Sequence, residues 1–263
     1  MNQETLSTPL SKLSYCPARG GIITSLCLHG KEILYLDEAS FQDTQLNVRG
    51  GIPILFPNAG AIEDERFPGL KQHGFARTSS NWQCSQNAAG TRFTETLQTD
   101  ASTTPEYPFA VRQMLSGILE EDGSATIIQE VTNLESRKSV PISMGLHPYF
   151  NIKATEKRAL TFDCFGGELV EAAVEHWSNG GTTSIANPRT LDPHASLRVT
   201  IPSLGALTLT TSPEYQRIWI WSLPGKDFLC IEPVLRDVGG LVKDPEFVLP
   251  GETYSAQLNI RLE

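Results

Sequence analysis

The sequence predicts an all-β protein, folded as a large antiparallel β-sandwich. The hydrophobic pattern has a period of two, most regularly from Tyr254 to Leu262, where apolar and polar residues alternate as in a strand with one buried face. Turn signals recur about every 8–12 residues, which is typical of sandwiches. Helix-like spacing is confined to residues 169–177, which glycine pairs bound on both sides, so a helix there is short.

Two β-hairpins are expected in the first half of the chain. Each joins two strand-like segments through a short turn that contains Gly30 or Gly123, because glycine adopts the positive φ that such turns require. The paired segments are residues 22–28 with 32–36, and residues 111–119 with 125–131. Residues 197–201 and 207–209 repeat the alternating pattern later in the chain.

The composition indicates one globular domain over residues 1–263. Hydrophobic residues make up 40% and charged residues 19% of the 263 residues, and no linker, composition shift or internal repeat divides the chain. The formal net charge is −9, and no lysine or arginine cluster forms a basic surface. Binding to nucleic acid or to an anionic membrane is therefore not expected.

The chain is expected to be cytoplasmic, and a monomer or a weak homodimer. Met1 to Glu4 lack the basic-then-apolar order of a signal peptide, and no apolar run of about 18 residues occurs. The cysteines are scattered and contain no Cys-x-x-Cys pair, so buried free thiols in a reducing compartment are predicted. They are Cys16, Cys27, Cys84, Cys164 and Cys230.

Residues 49–77 interrupt the strand pattern. The stretch is too rich in glycine and proline for an ordinary sheet and too long for a turn, while its isoleucine, leucine and phenylalanine residues argue against disorder. Loops of this length in compact domains are usually functional. It ends in His73-Gly74-Phe75-Ala76-Arg77, which places polar groups beside a glycine that permits close approach.

Two proline-flanked side chains are candidates for proton transfer. His147 follows the apolar run of residues 140–146 and precedes a proline, so a strand is expected to end there with the imidazole at its rim. Glu232 follows the apolar strand of residues 228–231, which the next proline is expected to stop. Groups at rigid strand ends hold their geometry better than groups on loops.

Four motifs then occur in order along the chain. They are Arg49–Pro53 (RGGIP), His73–Arg77 (HGFAR), Gly145–Phe150 (GLHPYF) and Ile231–Pro233 (IEP). In order and spacing they resemble the motif set of the aldose 1-epimerase (mutarotase) family, across roughly residues 15 to 262. The resemblance implies a galactose mutarotase-like supersandwich with an open sugar-binding groove, an isomerase activity on a small sugar or sugar phosphate, no metal and no organic cofactor.

The resemblance also implies catalytic roles. His147 would act as the acid on the ring oxygen and Glu232 as the base on the C1 hydroxyl, on opposite sides of C1 and a sugar ring's width apart. This pair suits the opening of a cyclic hemiacetal, which needs one group to give and one to take a proton near neutral pH. His73 would hydrogen-bond near the ring oxygen and orient the sugar.

Further substrate contacts follow from the same resemblance. Arg49, Gln72 and Arg77 match the hexose-6-phosphate branch of the family, in which they line the site and arginine contacts the phosphate. Arginine's planar guanidinium suits phosphate oxygens. Asp192 occupies the place of a hydroxyl-binding aspartate. The substrate is either a free or a phosphorylated hexose, and the sequence does not decide between them.

Several alternatives stay open. The protein could be a non-catalytic carbohydrate-binding or sensor protein, a metal enzyme that uses His73, His147 and Glu232, or a glycoside hydrolase, although a second carboxylate motif for hydrolysis is missing. Arg49 could instead pair with a nearby carboxylate. Trp219 and Trp221 are expected to pack in the core, and a sugar-stacking platform is the alternative.

Overall fold

A computed structural model describes residues 1–163 and 169–263 of the chain. The described strands are β1 Glu4–Ser7, β2 Ser11–Cys16, β3 Ile22–Leu28, β4 Lys31–Glu32, β5 Ile54–Leu55, β6 Gln83–Gln86, β7 Arg92–Thr99, β8 Val111–Leu119, β9 Ala125–Asn133, β10 Val140–Ile142, β11 Gly145–Leu146, β12 Tyr149–Asn151, β13 Thr161–Asp163, β14 Thr182–Ala186, β15 Leu197–Ile201, β16 Gly205–Thr211, β17 Arg217–Trp221, β18 Phe228–Val234, β19 Glu246–Val248 and β20 Thr253–Leu262.

Helices are short and few in the part of the chain that the structure describes. The α-helices are α1 Glu38–Gln42, α2 Leu169–Ser178 and α3 Gly240–Lys243. Single 3-10 turns occur at Pro17–Arg19, Ala76–Thr78, Ala154–Ala159 and Pro188–Thr190. Of the helices in residues 1–163 and 169–263, none is long and apolar enough to cross a membrane.

The strands pair antiparallel in four sheets. The largest has the order β13-β15-β16-β20-β9-β8-β7-β6, and the second has the order β14-β17-β18-β11-β5 with β12 also paired to β18. β1 to β4 form a four-stranded sheet in chain order, and β10 pairs with β19. The predicted all-β, antiparallel fold is therefore confirmed.

One large hydrophobic cluster joins the two main sheets. It contains Ile127 of β9 and Leu258 of β20 from the first sheet, and Ile218 of β17 and Ile231 of β18 from the second. Because side chains alternate across a strand, the residues next to Ile218 and Ile231 point to the opposite, outer face of the second sheet. That outer face carries the candidate site.

Most predicted strands and both hairpins are confirmed. β3 and β4 pair across the turn at residues 29–30, although β4 ends at Glu32 and not at residue 36. β8 and β9 pair over their full length. The helix-like segment is α2.

The prediction that a proline stops the strand after Ile231 is wrong, because β18 continues through Pro233 to Val234. Ile231 donates its N–H to the carbonyl oxygen of Pro148, so the nitrogen of Pro233, two residues on, faces the same side. In this register Pro233 lies opposite Leu146, the last residue of the short strand β11. The missing N–H of Pro233 therefore removes one hydrogen bond donor at the end of β11, and the rest of β18 stays paired.

The cysteines match the predicted burial only in part. Cys16 and Cys230 are buried and Cys27 is half-buried, and all three are free thiols. Cys84 is a free thiol but exposed, because it lies on β6, whose residues are all exposed at the edge of the eight-stranded sheet. Cys164 lies outside the described residues.

Strand β7 carries a buried carboxyl group, that of Glu95, on its core-facing side. Glu95 is 0% exposed, and neither of its carboxyl oxygens has a hydrogen-bond partner among the described residues. Burial, with a smaller contribution from the charge of Glu4, raises the pKa of Glu95 to about 8. The folded protein therefore keeps Glu95 protonated at pH values where the unfolded chain has lost that proton.

This burial predicts a pH-dependent stability. Between the ordinary pKa of 4.5 and the folded pKa of about 8, the native state binds more protons than the unfolded state, so stability falls as the pH rises through this window. In the Glu95→Gln variant this contribution is lost. We expect the decrease in Tm from pH 5 to pH 8 to be roughly 5–10 °C smaller than in the wild type.

Calorimetry at the two pH values measures this difference. Glu121→Gln, which changes an exposed glutamate in a turn, is the matched control and should follow the wild type. Equal Tm decreases in wild type and Glu95→Gln would contradict the assignment of a protonated Glu95.

Candidate active site

The continuous register of β11 and β12 against β18 brings the two proposed proton-transfer groups together. Both short strands pair with β18 in the same register, with His147 and Pro148 between them. Tyr149 pairs with Cys230, so two residues further along the same register His147 lies opposite Glu232. Paired residues in an antiparallel ladder point to the same face. Both side chains therefore lie on the outer face of the sheet.

His147 and Glu232 are in direct contact. The Nε2 atom of His147 is 3.4 Å from Oε1 of Glu232, and the two residues are only 6% and 2% exposed. They are closer than the predicted width of a sugar ring, because they are ladder neighbours and not groups facing each other across a groove. The arrangement still suits a hemiacetal, since its ring oxygen and C1 hydroxyl are bonded to one carbon and can each face one of two adjacent groups.

Burial shifts the pKa values of this pair in opposite directions. It lowers the pKa of His147 well below its usual range, and the neighbouring His73 and Arg77 lower it further. Burial raises the pKa of Glu232 well above its usual range, and the positive charge of Arg77 opposes this rise. Because desolvation disfavours the charged form of each group, it lowers the free-energy cost of moving a proton from the imidazole to the carboxylate.

Aromatic rings hold the imidazole of His147. It stacks on Tyr149 with a centroid separation of 4.7 Å and an interplanar angle of 11°, and it meets Trp221 edge-on at 6.0 Å. The ring of His73 lies 5.4 Å away, nearly perpendicular. The Nδ1 atom of His147 is buried and has no hydrogen-bond partner among the described residues. Packing, more than hydrogen bonding, therefore fixes this ring.

His73 is held in an unusual backbone conformation. Its φ is +66°, a region that non-glycine residues rarely adopt. Two hydrogen bonds with Gly60 compensate: the His73 N–H donates to the Gly60 carbonyl at 3.0 Å, and the Gly60 N–H donates to His73 Nδ1 at 3.0 Å. At the adjacent Gly74, a Cβ atom would lie 1.8 Å from the carbonyl oxygen of Phe56, so only glycine fits.

The contact with Gly60 also sets the tautomer of His73. Because Nδ1 accepts a hydrogen bond, the proton of the neutral ring is on Nε2, which is therefore a donor. Burial, with a contribution from Arg77, lowers the pKa of His73 to about 3, so the ring is neutral at physiological pH. Nε2 lies 3.1 Å from the side-chain amide of Gln72, which accepts this proton when its oxygen faces the ring.

The two predicted arginines differ in exposure. Arg77 is half-buried and donates from Nη2 to the carbonyl oxygen of Gln72 at 3.1 Å, while its Nε is buried with no partner among the described residues. Arg49 is exposed. Within residues 1–163 and 169–263, neither guanidinium forms an ion pair with a carboxylate, so the alternative that Arg49 is neutralised by a nearby acid is wrong.

A cavity of about 740 Å³ on this outer face gathers six of the seven predicted site residues. They are Arg49, Gln72, His73, Arg77, His147 and Glu232. Asp192 is not among the lining residues: it is exposed in a turn, where its carboxylate accepts the N–H of His194 at 2.8 Å. The local Asp-Pro sequence indicated such a turn, and the structure does not bring this side chain to the cavity.

Other cavity residues had no predicted role. Asp37, Ser40 and Thr182 line the cavity, and no local motif distinguishes them. The predicted core packing is confirmed for Trp219, which is 3% exposed in a small cluster, and in part for the half-buried Trp221, but both also line the cavity. Their register explains this, since Trp219 pairs with Glu232 and therefore shares its face. Alternation along β17 puts Trp219 and Trp221 on the same face of the strand. Combined with the position of Glu232, this pattern could have predicted that both tryptophans lie near the cavity.

One group of three described side chains could hold a metal ion. Ligand atoms of His147, Cys230 and Glu232 lie within 4.8 Å of one another. The predicted alternative used His73 instead of Cys230, and His73 does not belong to this group among the described residues. A metal bound to this set would occupy the same atoms that the pair needs for proton transfer.

The comparisons with known proteins agree with this architecture. The sequence profile described as aldose 1-epimerase matches residues 11–182. The Slr1438 protein from Synechocystis sp. PCC 6803 is 30% identical, with a TM-score of 0.83, and the match covers 100% of this chain and 96% of that chain.

Two more distant structures share the fold. A galactose mutarotase-like protein from Lactobacillus casei ATCC 334 is 22% identical with a TM-score of 0.75, and the match covers 100% of both chains. Galactose 1-epimerase from Lactobacillus acidophilus NCFM is 12% identical with a TM-score of 0.72, covering 99% of this chain and 94% of that chain. With the profile spanning more than half of the sequence, the chain belongs to the aldose 1-epimerase family.

Proposed function

We propose that this protein is an aldose 1-epimerase that interconverts the α and β anomers of a hexose by acid/base ring opening. The observation that carries the proposal is the contact between Nε2 of His147 and Oε1 of Glu232, at 3.4 Å, in the wall of a 740 Å³ cavity. A buried imidazole–carboxylate pair can hold one proton and exchange it with the two oxygens of a hemiacetal.

Ring opening requires two coupled proton transfers. Glu232 as carboxylate takes the proton of the C1 hydroxyl, and the electron pair of that O–H bond forms the C1 carbonyl. The bond between C1 and the ring oxygen breaks, and His147 as imidazolium protonates that oxygen. The pair ends with the proton on Glu232 and a neutral His147. Burial favours this uncharged arrangement, while the charge of Arg77 favours both the starting carboxylate of Glu232 and the final neutral form of His147.

Ring closure reverses these transfers. After rotation about the C1–C2 bond the aldehyde presents its other face, His147 removes the proton from the attacking hydroxyl, and Glu232 returns its proton to the carbonyl oxygen. When the exposed Gln72 side chain turns away, the Nε2–H of His73 can donate to a sugar oxygen instead and so limit the orientation of the ring. No oxidation state changes, so this chemistry needs only the two proton-transfer groups.

We propose a neutral or 6-phosphorylated hexose as the substrate. The cavity volume exceeds the roughly 300 Å³ lower limit of common ligand sites and leaves room for a substituent on the sugar. Arg49 and Arg77 line it without carboxylate partners among the described residues. Unpaired guanidinium groups suit phosphate oxygens, and they also suit sugar hydroxyls, so this observation supports both substrates.

The acid/base assignment predicts large losses of activity. Wild-type protein should accelerate the approach of freshly dissolved α-glucose or α-galactose to anomeric equilibrium, measured by polarimetry or NMR exchange. His147→Ala and Glu232→Gln should each lower kcat by at least about 10²-fold, because each removes one proton-transfer group.

His194→Ala, which changes an exposed histidine of a turn, is the matched control and should keep wild-type rates. A chelator added to the wild type tests the metal alternative, since the proton-transfer mechanism expects no loss. Saturable sugar binding without any acceleration would favour the non-catalytic sensor. Near wild-type rates in either site variant would refute the assigned roles.

The substrate question has its own test. If the substrate is phosphorylated, Arg77→Ala should raise KM for hexose 6-phosphate roughly tenfold or more beyond its effect on the free hexose, because a charge-assisted contact to phosphate is lost. Arg112→Ala, an exposed arginine of β8, is the control. Equal effects on the two sugars would assign Arg77 to the sugar ring and remove the argument for a phosphate.

Arg77 should also set the pH dependence. Its positive charge lowers the pKa of both His147 and Glu232, so its removal makes both groups easier to protonate. The pH profile of kcat/KM for a free hexose should therefore move to higher pH in Arg77→Ala, by up to about one unit. An unchanged profile, or a shift to lower pH, would contradict this electrostatic role.

A further inference from the structure

One segment forms a large part of the cavity rim. Residues 37–49, which we call the rim segment, contribute a third of the lining residues. These are Asp37, Ser40, Leu46, Asn47, Val48 and Arg49. The segment contains the five-residue helix α1 and otherwise has no repeating secondary structure. Its position over the cavity must therefore be fixed by contacts with other parts of the chain.

Arg19 makes four hydrogen bonds to the rim segment while lying outside the cavity. Its Nε donates to the carbonyl oxygen of Phe41 at 3.1 Å. Its Nη2 lies within hydrogen-bond distance of the carbonyl oxygens of Ser40 at 3.0 Å, Asp43 at 2.7 Å and Leu46 at 2.6 Å. Arg19 is 6% exposed, and all four acceptors are main-chain oxygens of one segment.

Two of these acceptors belong to a helix end, and a third, the carbonyl oxygen of Asp43, also accepts the N–H of Leu46 at 3.1 Å. The last four carbonyl groups of an α-helix have no intrahelical hydrogen bond, and those of Ser40 and Phe41 belong to the last turn of α1. A cation at a helix C-terminus also interacts favourably with the helix dipole. Arg19 therefore ends α1 and holds the following turn to the same guanidinium. A lysine, with one point charge, cannot span four carbonyls in a fixed plane.

Apolar packing of the segment is limited. Phe41 and Val48 bury their side chains with Cys16 and Ile22, and with the half-buried Leu36 against them, in a small cluster separate from the main core. At the base of the segment, Ser40 Oγ accepts the N–H of Arg49 at 3.0 Å. Other polar attachments are the Asp37 N–H to the Arg49 carbonyl at 2.9 Å and the amino group of Met1 to Gln42 at 3.0 Å. Arg19 contributes more hydrogen bonds to the rim segment than Met1 does, and the last residue of the segment is a predicted substrate ligand.

The turn formed by residues 17–21, which carries Arg19, also contacts the second predicted arginine. The next residue, Gly20, has φ +82°, and a Cβ atom there would lie 2.0 Å from the carbonyl oxygen of Arg77. Residues 17–21 thus lie between the segment that ends at Arg49 and the main chain of Arg77. A displacement of this turn would change the relative position of the Arg49 and Arg77 guanidinium groups in the cavity.

We propose that Arg19 is a positioning residue that holds the rim segment over the cavity and thereby sets sugar affinity, without taking part in proton transfer. This inference rests on the proposed function for its kinetic readout. His147 and Glu232 lie on the sheet and not on the rim segment, so their contact does not depend on Arg19. Loss of Arg19 should therefore raise KM and leave kcat nearly unchanged.

The experiment compares Arg19→Met, Arg19→Lys and the exposed control Arg112→Met. If the rim segment keeps its binding position in only about a tenth of Arg19→Met molecules, KM for the hexose rises about tenfold while kcat stays within about twofold. Arg19→Lys should give an intermediate KM, and Arg112→Met should match the wild type. Free guanidinium ion at low millimolar concentration should lower the KM of Arg19→Met but not that of the other two variants.

A second measurement does not depend on catalysis. Hydrogen–deuterium exchange should accelerate in residues 37–49 of Arg19→Met and Arg19→Lys and stay unchanged in β18. If the wild type proves inactive, which would refute the proposed function, this local exchange still tests Arg19. An unchanged KM together with unchanged exchange in the rim segment would overturn the inference. Exchange that rises equally throughout the chain would also overturn it, as would a loss of activity confined to kcat. If Arg19→Met does not fold, the same measurements on Arg19→Lys test the inference.

Discussion

The structure of the candidate site depends on one strand register. β11 and β12 pair with β18 as if they were a single strand, and the interruption between them falls at His147 and Pro148. The His147 N–H still donates to the carbonyl oxygen of Pro53 at 3.0 Å, which continues the β5–β11 register, and Glu232 lies directly opposite the imidazole. A shift of β18 by one residue would turn Glu232 into the core, where an unpaired carboxylate would be very costly.

The electrostatics of the cavity follow from this placement. The sheet buries a histidine and a glutamate that share the same small volume, and burial moves the pKa of each toward its uncharged form. Arg77 adds a positive charge that acts on both groups, and this charge has no carboxylate partner among the described residues. The whole chain has a net charge of −9, whereas the cavity carries the positive charges of Arg49 and Arg77. Such a site can attract an anionic or polyhydroxylated ligand while the rest of the surface remains acidic.

Much of the fold and most of the site could be predicted from the sequence, because both are encoded by short-range patterns. Alternation identified β20 and the β8–β9 hairpin, and the four motifs together with the adjoining Gln72 identified six of the cavity residues. The errors and omissions arose where tertiary context decides. Whether Pro233 stops a strand depends on which neighbour its nitrogen faces, and whether Trp219 also lines the cavity depends on its register with β18. Arg19 gave no signal at all, since its four acceptors are main-chain oxygens without a sequence signature.

The short separation of His147 and Glu232 has a consequence for interrupted turnovers. In the proposed mechanism, an open-chain aldehyde that escapes before the ring closes leaves its proton on the carboxyl group of Glu232, 3.4 Å from the neutral imidazole. Burial favours this uncharged arrangement, so the internal transfer that would restore the starting charges is uphill in free energy. A failed cycle in this mechanism therefore ends with the pair in a more stable protonation state than the one from which ring opening begins.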